Sequence, residues 1–218
     1  MKRLIDLSHT IEHGMITYKG LPGPIISDFL NREASKVHYA EGTTFHIGRI
    51  DMVANTGTYI DAPFHRYAEG KDLSQLPLEA IADVEALVCR ADATSRAIGP
   101  ELFTGVRLKG KAVLVHTGWD RHWGSERYFA GHPFLTAKAA ELLKDSGAVL
   151  VGIDSHNIDE TSGGDRPVHS ILLGADIPIV EHMCHLEKLP ESTFRFHAVP
   201  VKVKHFGTFP VRAYAVLP

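Results

Sequence analysis

The stretch TAKAAELLKDSGAVLVGID, residues 136–154, decides the fold because it joins a helical pattern directly to a strand pattern. Apolar residues recur at helical spacing over 136–147, where Thr136 can cap the first turn and Gly147 can end the last. The apolar run 148–154 follows at once and predicts a buried strand. Because another strand pattern precedes this helix, the order of strand, helix and strand favours a parallel βαβ unit.

Further β-favouring runs extend this unit into a mixed β-sheet or a barrel with a few peripheral helices. The predicted strands cover 3–11, 43–53, 84–92, 111–119, 177–181, 196–204 and 211–217. A short helix is predicted at about 168–173, before a turn at Gly174, whereas two prolines and two glycines make 20–29 a predicted loop. Nothing in the pattern indicates a repeat or a linker, so we predict one α/β domain over 1–218.

The composition indicates an ordinary globular protein, and a small-molecule substrate is expected. Hydrophobic residues make up 44% and charged residues 22%, and the net charge of −3 gives no basic surface for nucleic acid or an anionic membrane. Cys89 and Cys184 lie outside any CxxC spacing and predict reduced, buried thiols. The start of the chain turns polar too soon for a signal peptide, and no apolar run reaches the length of a membrane span, so a cytoplasmic protein is expected.

The stretch NTGTYIDAPFH (55–65) places a carboxylate, Asp61, four residues before an imidazole, His65. A long predicted strand leads into it, Gly57 permits close backbone approach and Pro63 stiffens the segment between the two polar groups. From the residues alone, two interpretations remain open. Asp61 caps backbone N–H groups of a turn beside a solvated histidine, or the pair forms part of a site.

The stretch RPVHSILLGADIPIVEHM (166–183) holds His169 and Glu181 at the two ends of an apolar segment. A short helix, a turn and a strand would bring both ends together. With Asp61 they form an oxygen, nitrogen and oxygen donor set for one divalent metal, although local hydrogen bonding explains the pair equally well. The polar stretch 154–167 is either a surface loop or a loop beside the site.

Other residues leave their roles open. Trp119 and Trp123 either wall an aromatic substrate pocket or pack structurally, and Ser8 and Ser155 lack the GxSxG context of a serine hydrolase. Seven histidines have no partner that the sequence can assign and are expected to be structural or exposed: His9, His46, His156, His182, His185, His197 and His205.

Several separated motifs resemble one family. NTGTYIDAPFH is similar to HxGTHxDxPxH, the signature of the cyclase-family metal-dependent hydrolases, which include bacterial kynurenine formamidase and isatin hydrolase. IDLSHTI (5–11), the His169 and Glu181 pair and GTFPVRAYA (207–215) also resemble this family, in the same order along nearly the whole chain. The resemblance implies a swivelling β/β/α fold with a mixed sheet, and a homodimer or homotetramer.

The resemblance also implies roles for the residues that match. Asp61 takes the place of a metal ligand that can bridge two ions, and His169 and Glu181 take the places of ligands to the second ion. His65 takes the place of the catalytic acid or base.

Two residues depart from the signature, because Asn55 and Tyr59 stand where the family has the two histidines of the first metal. An amide oxygen and a phenol are weaker ligands than imidazole. We therefore expect one divalent metal, Mn²⁺, Mg²⁺ or Zn²⁺, held by Asp61, His169 and Glu181 with Asn55 as a weak fourth ligand, or no metal at all.

Three functions follow. The first is metal-dependent hydrolysis of a C–N bond in a small amide or lactam, with His65 as general acid and base near its reference pKa of about 6.5. The second is a metal-free proton transfer (a cyclase, dehydratase or isomerase) in which Asp61 orients His65 and Tyr59 donates a hydrogen bond to an oxyanion. The third is a non-catalytic ligand-binding module, against which the retained acidic and histidine residues argue.

Overall fold

A computed structural model describes residues 2–92 and 94–218, and this part of the chain contains thirteen strands and four α-helices. The strands are β1 Arg3–Asp6, β2 Ile25–Leu30, β3 Ile47–Asp51, β4 Tyr59–Asp61, β5 Val84–Arg90, β6 Ala97–Ile98, β7 Ala112–His116, β8 Phe134–Leu135, β9 Leu150–Ile153, β10 Ile179–Glu181, β11 Phe194–His197, β12 Thr208–Pro210 and β13 Tyr214–Leu217. The helices are α1 Arg32–Ser35, α2 Leu78–Ile81, α3 Ala137–Asp145 and α4 Pro167–Gly174. Over these described ranges, none of the helices combines the length and the apolar character that a bilayer crossing requires.

Nine strands form one curled sheet in the order β1-β13-β11-β5-β7-β9-β10-β4-β12. Strands β5, β7, β9 and β10 run parallel to one another, and the remaining pairs are antiparallel. The predicted βαβ unit is confirmed, since α3 lies between the parallel neighbours β7 and β9. Strands β1 and β12 stand at the two ends of this order and the sheet curls into a half-barrel, which confirms the predicted mixed α/β fold.

The central strands are buried on both faces, which explains why the sequence shows them as continuous apolar runs. On β7, Leu114 faces one core together with Ile60 and Phe196, whereas its neighbour Val113 faces a second core. The second core contains apolar residues of α3 and α4, such as Leu143. The helices therefore cover one face of the parallel strands, and the other face lies inside the curl of the sheet.

Two sequence predictions differ from the structure. The expected loop over 20–29 contains most of β2, which pairs with β3 in a separate two-stranded sheet, because its prolines precede the strand rather than interrupt it. The expected strand over 196–204 ends at His197, and Pro200, which has no N–H to donate, lies in the irregular segment that follows. The helix start is confirmed, since the Thr136 side chain accepts a hydrogen bond from the backbone N–H of Ala139.

The strand register brings the motif residues together. In the antiparallel pairing of β4 with β10, Tyr59 lies opposite Glu181, and in the pairing of β4 with β12, Asp61 lies opposite Thr208. Since residues two apart on a strand face the same way, these four side chains project from one face of the sheet. Segments separated by more than a hundred residues in the chain are therefore placed side by side.

Candidate active site

Asp61 and His65 are joined through Thr208. The Thr208 hydroxyl donates a hydrogen bond to Oδ1 of Asp61, which is fully buried, and lies 2.8 Å from Nδ1 of His65. Because the hydroxyl proton is directed to the carboxylate, its oxygen accepts the proton of His65 Nδ1. Nε2 of His65 is then the basic nitrogen, and the His65 side chain is 35% exposed. The interpretation of Asp61 as a cap for backbone N–H groups is not what the structure shows.

The close approach of β12 to this turn depends on Gly207. A Cβ at this position would overlap the backbone of His65, so a larger residue would push the two segments apart. Gly57 has a similar role at the start of the motif, because its φ of +66° lies in the left-handed region that favours glycine. The two glycines thus fix the backbone on either side of Asp61.

His169 is fixed by Asp159 at the start of α4. Oδ1 of Asp159 accepts from the backbone N–H of Val168 at 2.8 Å, and Oδ2 accepts from the backbone N–H of His169 at 3.0 Å and lies 2.7 Å from Nδ1. A carboxylate next to Nδ1 leaves the Nε2 lone pair free for a ligand, which is the arrangement typical of metal-binding histidines.

Three acidic or imidazole side chains converge on one point. Nε2 of His169 lies 3.7 Å from Oδ2 of Asp61 and 3.9 Å from Oε1 of Glu181. These distances are too long for hydrogen bonds, but atoms bonded to one ion at about 2.0–2.2 Å lie up to about 4.4 Å apart. Asp61, His65 and His169 also offer ligand atoms within 4.8 Å of one another.

Asp61 Oδ2 is the atom that most favours a cation at this point. This oxygen is buried and has no hydrogen-bond partner within the described residues. A buried carboxylate oxygen without a donor is costly, and a positive ion beside His169 Nε2 would satisfy it. The predicted ligands Asp61, His169 and Glu181 therefore fit one divalent metal. Asn55, the weak fourth candidate, lies instead beside the phenol of Tyr59 and lines the cavity.

The electrostatics of the site also favour a cation. Burial acts to lower the pKa of His169, but its contacts with Asp159, Asp61 and Glu181 outweigh this effect and raise the pKa to about 10. Burial raises the pKa of Glu181 to about 7, although the charge of His169 lowers it. Without a metal, a proton on His169 balances the carboxylates, and a divalent ion bound to Nε2 would displace this proton.

Tyr59 contacts Glu181 directly and remains a neutral phenol. Its hydroxyl donates to Oε2 of Glu181 at 2.8 Å, while the backbone N–H of Ile158 donates to Oε1 at 2.6 Å. Burial and the charge of Glu181 raise the pKa of Tyr59 well above its usual range. The phenol therefore stands at the signature position that carries an imidazole in the family, and it donates a hydrogen bond rather than a lone pair to a metal.

His182 packs against the site and contacts two tyrosines, which the sequence did not reveal. It follows Glu181, is fully buried, and adopts the left-handed conformation with φ of +54°. Its Nε2 lies 3.3 Å from the Tyr59 hydroxyl and its Nδ1 lies 2.8 Å from the Tyr128 hydroxyl. A non-glycine residue in this conformation indicates local strain at a site that other contacts stabilise.

A cavity of about 300 Å³ opens above these residues. It is lined by Tyr18, Leu21, Asn55, Tyr59, His65, Arg66, Asn157, Thr161, Arg166, His169 and Glu181. The stretch 154–167 therefore contributes part of the wall, as one of its two interpretations required. Trp119 and Trp123 do not line the cavity, because the first donates to the backbone of Tyr128 and the second stacks on His9.

Thr208 and Asp159 are the contributors that residue-by-residue reasoning missed. Thr208 lies in GTFPVRAYA, which resembles the family, but nothing in its spacing points to a partner 147 residues away. Asp159 lies ten residues before His169 in a loop rich in polar residues.

The family model matches this chain over residues 5–160 and is described as a putative cyclase.

This chain belongs to the cyclase family. The kynurenine formamidase of Bacillus cytotoxicus is 26% identical over 210 residues, which cover 96% of this chain and 95% of that protein. Isatin hydrolase A from Labrenzia aggregata superposes with a TM-score of 0.82 at 20% identity over 99% of this chain and 94% of that chain. A potential metal-dependent hydrolase with cyclase activity superposes with a TM-score of 0.80 at 24% identity over 99% and 98%. The expected family and cyclase-like fold are confirmed.

Proposed function

We propose that this chain hydrolyses a C–N bond of a small amide or lactam with one divalent metal ion. The observation that carries the proposal is the unpaired, buried Oδ2 of Asp61 beside the free Nε2 of His169 and the Oε1 of Glu181. The similarity to kynurenine formamidase and isatin hydrolase supports a hydrolase of non-peptide C–N bonds. The likeness to a metal-dependent hydrolase supports a metal in the site.

Asp61, His169 and Glu181 are the residues that would hold the metal. Two carboxylates and one imidazole suit Mn²⁺ as well as Zn²⁺, and these two ions are our candidates. When bound, such an ion polarises a carbonyl and lowers the pKa of a water molecule.

His65 moves the protons of the reaction. Because Thr208 holds its Nδ1 proton, Nε2 is free to accept a proton from the attacking water and to return it to the leaving nitrogen. Asp61 accepts the hydrogen bond of the Thr208 hydroxyl and so orients Thr208 and His65. A carboxylate orients the histidine of a catalytic triad in a similar way. The Tyr59 phenol stays neutral because of its high pKa, and its one proton is donated to Oε2 of Glu181, so it orients this carboxylate.

The same phenol favours a second candidate function, a metal-free proton transfer. Tyr59 donates to Glu181 where the family signature has a metal-binding imidazole, so His65, Asp61 and Tyr59 would act without an ion. The two candidates differ in one property, since only the first requires a metal for turnover.

Activity with and without metal distinguishes them. We expect turnover of aryl formamides or lactams to disappear after exhaustive chelation and to return with Mn²⁺ or Zn²⁺. His65→Ala should lower kcat by about 10²–10⁴-fold, whereas His38→Ala, which removes an exposed histidine outside the cavity lining, serves as the matched control. Full activity after chelation would favour proton transfer, and near-parental activity of His65→Ala would contradict both mechanisms.

A homodimer or homotetramer is also part of the proposal. The sheet of β2 and β3 lies outside the main sheet and exposes apolar side chains, including Phe29, Ile47 and Ile50. A two-stranded hairpin is marginally stable alone, so a second copy of this chain is the expected cover. Light scattering during gel filtration should give a mass of two or four chains, and a monomer would contradict this.

The remaining proposals concern the cellular location of the protein and the class of molecule that it binds. A cytoplasmic location is supported by Cys89 and Cys184, which are buried free thiols rather than a disulfide. The net charge of −3 supports a small-molecule substrate rather than a nucleic acid or a membrane surface. Cell fractionation tests the location, and a nucleic-acid or vesicle binding assay should give no binding.

A further inference from the structure

Two arginines line the cavity on the side of the proposed metal ligand His169. Arg66 directly follows His65, and Arg166 immediately precedes α4, the helix that carries His169. Ser170 connects them, because its hydroxyl accepts from Nε of Arg66 at 3.1 Å and donates to the backbone carbonyl of Arg166 at 2.9 Å. The two guanidinium groups thus belong to one side of the cavity wall.

Neither guanidinium has a carboxylate partner among the residues that the structure describes. Within residues 2–92 and 94–218, no carboxylate oxygen lies within the 4.0 Å that defines an ion pair with Arg66 or Arg166. Arg66 uses Nε for Ser170 and lies over the Tyr67 ring, which leaves both terminal nitrogens without an acceptor in this part of the chain. Arg166 uses Nη1 to bind three backbone carbonyls, those of Glu160, Gly163 and Asp165.

These bonds fix the two side chains while leaving donors free. Arg166 holds the loop before α4 with one nitrogen, so its position is set by the fold rather than by solvent. Arg66 is held at Nε by Ser170, and its two terminal nitrogens keep their N–H groups unpaired among the described residues. Guanidinium groups of this kind bind carboxylates by paired hydrogen bonds. The lining also contains Tyr18 and Leu21, which suit the apolar body of a ligand.

We infer that the substrate carries a carboxylate, separate from the bond that is cleaved, which Arg66 and Arg166 bind. This inference rests on the proposed amide hydrolysis and adds its substrate class, an amide that is an aromatic or aliphatic acid. The carboxylate fixes the substrate at the arginine side, so that the scissile carbonyl lies over His169 and His65. Arg66 is the main determinant, because Arg166 is already engaged with the loop.

Paired substrates test the inference. N-formylanthranilate and formanilide share the formamide and the ring, and only the first carries a carboxylate. We expect kcat/KM to be at least about ten-fold higher for the acid, mainly through KM, and this ratio to fall about ten-fold in Arg66→Gln. Arg66→Lys keeps the charge and should keep part of the preference. Arg107→Gln removes an exposed arginine outside this cavity lining and is the control. Equal kcat/KM for both substrates, or an unchanged ratio in Arg66→Gln, would overturn the inference.

A binding measurement keeps the test independent of turnover. Benzenesulfonate is an anion that coordinates metals poorly, and methyl phenyl sulfone is its neutral counterpart. By calorimetry on the metal-loaded protein, benzenesulfonate should bind at least about ten-fold more tightly than the sulfone, and Arg66→Gln should abolish this difference. If no amide is hydrolysed but this difference holds, the proposed function fails while the anion site stands. Equal binding of both ligands, or a difference that survives Arg66→Gln, would overturn the anion site itself. Formate that competes with benzenesulfonate as strongly as benzoate does would also overturn the inference, because the arginines would then bind the released acid.

Discussion

Replacement of Thr208 by valine measures how much of the chemistry depends on one hydroxyl. Valine has nearly the same shape as threonine, so the substitution removes the hydroxyl and leaves the packing in place. The variant loses the hydrogen bond to Asp61 Oδ1 and the one that holds His65 Nδ1. The first is charge-assisted and the second is neutral, and together they contribute about 2–4 kcal/mol.

The loss divides between stability and activity. Asp61 is fully buried and Oδ2 already lacks a partner, so the loss of the Oδ1 donor costs about 1–3 kcal/mol of folding free energy. For a chain of this size the melting temperature falls by about 2–12 °C. His65 loses the contact that fixes its tautomer, so we expect kcat to fall by about 10–100-fold.

The assay compares kcat, KM, melting temperature and metal content of Thr208→Val with those of Thr208→Ser, which keeps the hydroxyl. The serine variant should recover most of kcat, and KM should change less than kcat, because Thr208 orients His65 and is not among the residues that line the cavity. If Thr208→Val keeps kcat within about two-fold of the parent at equal metal content, the role of His65 through Thr208 is refuted.

Three further predictions follow from the same geometry. Gly207→Ala places a methyl group against the backbone of His65 and should lower both melting temperature and kcat, as thermal unfolding and kinetics will show. Asp159→Asn removes the carboxylate that orients His169, and equilibrium titration should give about 10–100-fold weaker metal binding. Burial, aided by the charge of His132, lowers the pKa of His156 from 6.5 to about 3, so the unfolded chain takes up the proton first. The contribution of His156 to stability is therefore complete above pH 6.5 and should fall by about 1.4 kcal/mol per pH unit between pH 6.5 and about 3, measured as a smaller slope of urea-unfolding free energy in His156→Gln than in the parent.

Local patterns in the sequence predicted the helices and strands that are determined by residues adjacent in the chain. Helix α3 follows from its apolar spacing and the Thr136 cap, and β7 and β9 follow from their apolar runs. Strand β2 was missed because the prolines and glycines before it dominated the composition of the window. The segment after His197 was read as strand since Val and Lys alternate there, but Pro200 and the surface position prevent pairing.

The candidate site was predictable where its reactive side chains lie within short sequence motifs. Asp61, His65, His169 and Glu181 were predicted from two short stretches and their resemblance to a family, and the structure brings these side chains together. Thr208 was not, because its contact with Asp61 depends on the pairing of β12 with β4, which no local pattern encodes.

The buried surroundings of the site were missed for the same reason. His182 was expected to be structural or exposed, with no partner that the sequence could assign, because its contacts with Tyr59 and Tyr128 arise only when three distant segments pack together. The change of a signature imidazole to Tyr59 was visible in the sequence, but its hydrogen bond to Glu181 required the structure.

The metal content of the purified protein tests the central claim most directly. Elemental analysis by mass spectrometry should find about one equivalent of Mn or Zn in the parent and none in His169→Ala or Asp61→Asn, with His38→Ala matching the parent. Activity measured in the same samples should follow the metal content. Hydrolysis by a parent protein that holds no metal, even after incubation with Mn²⁺ and Zn²⁺, would contradict the account.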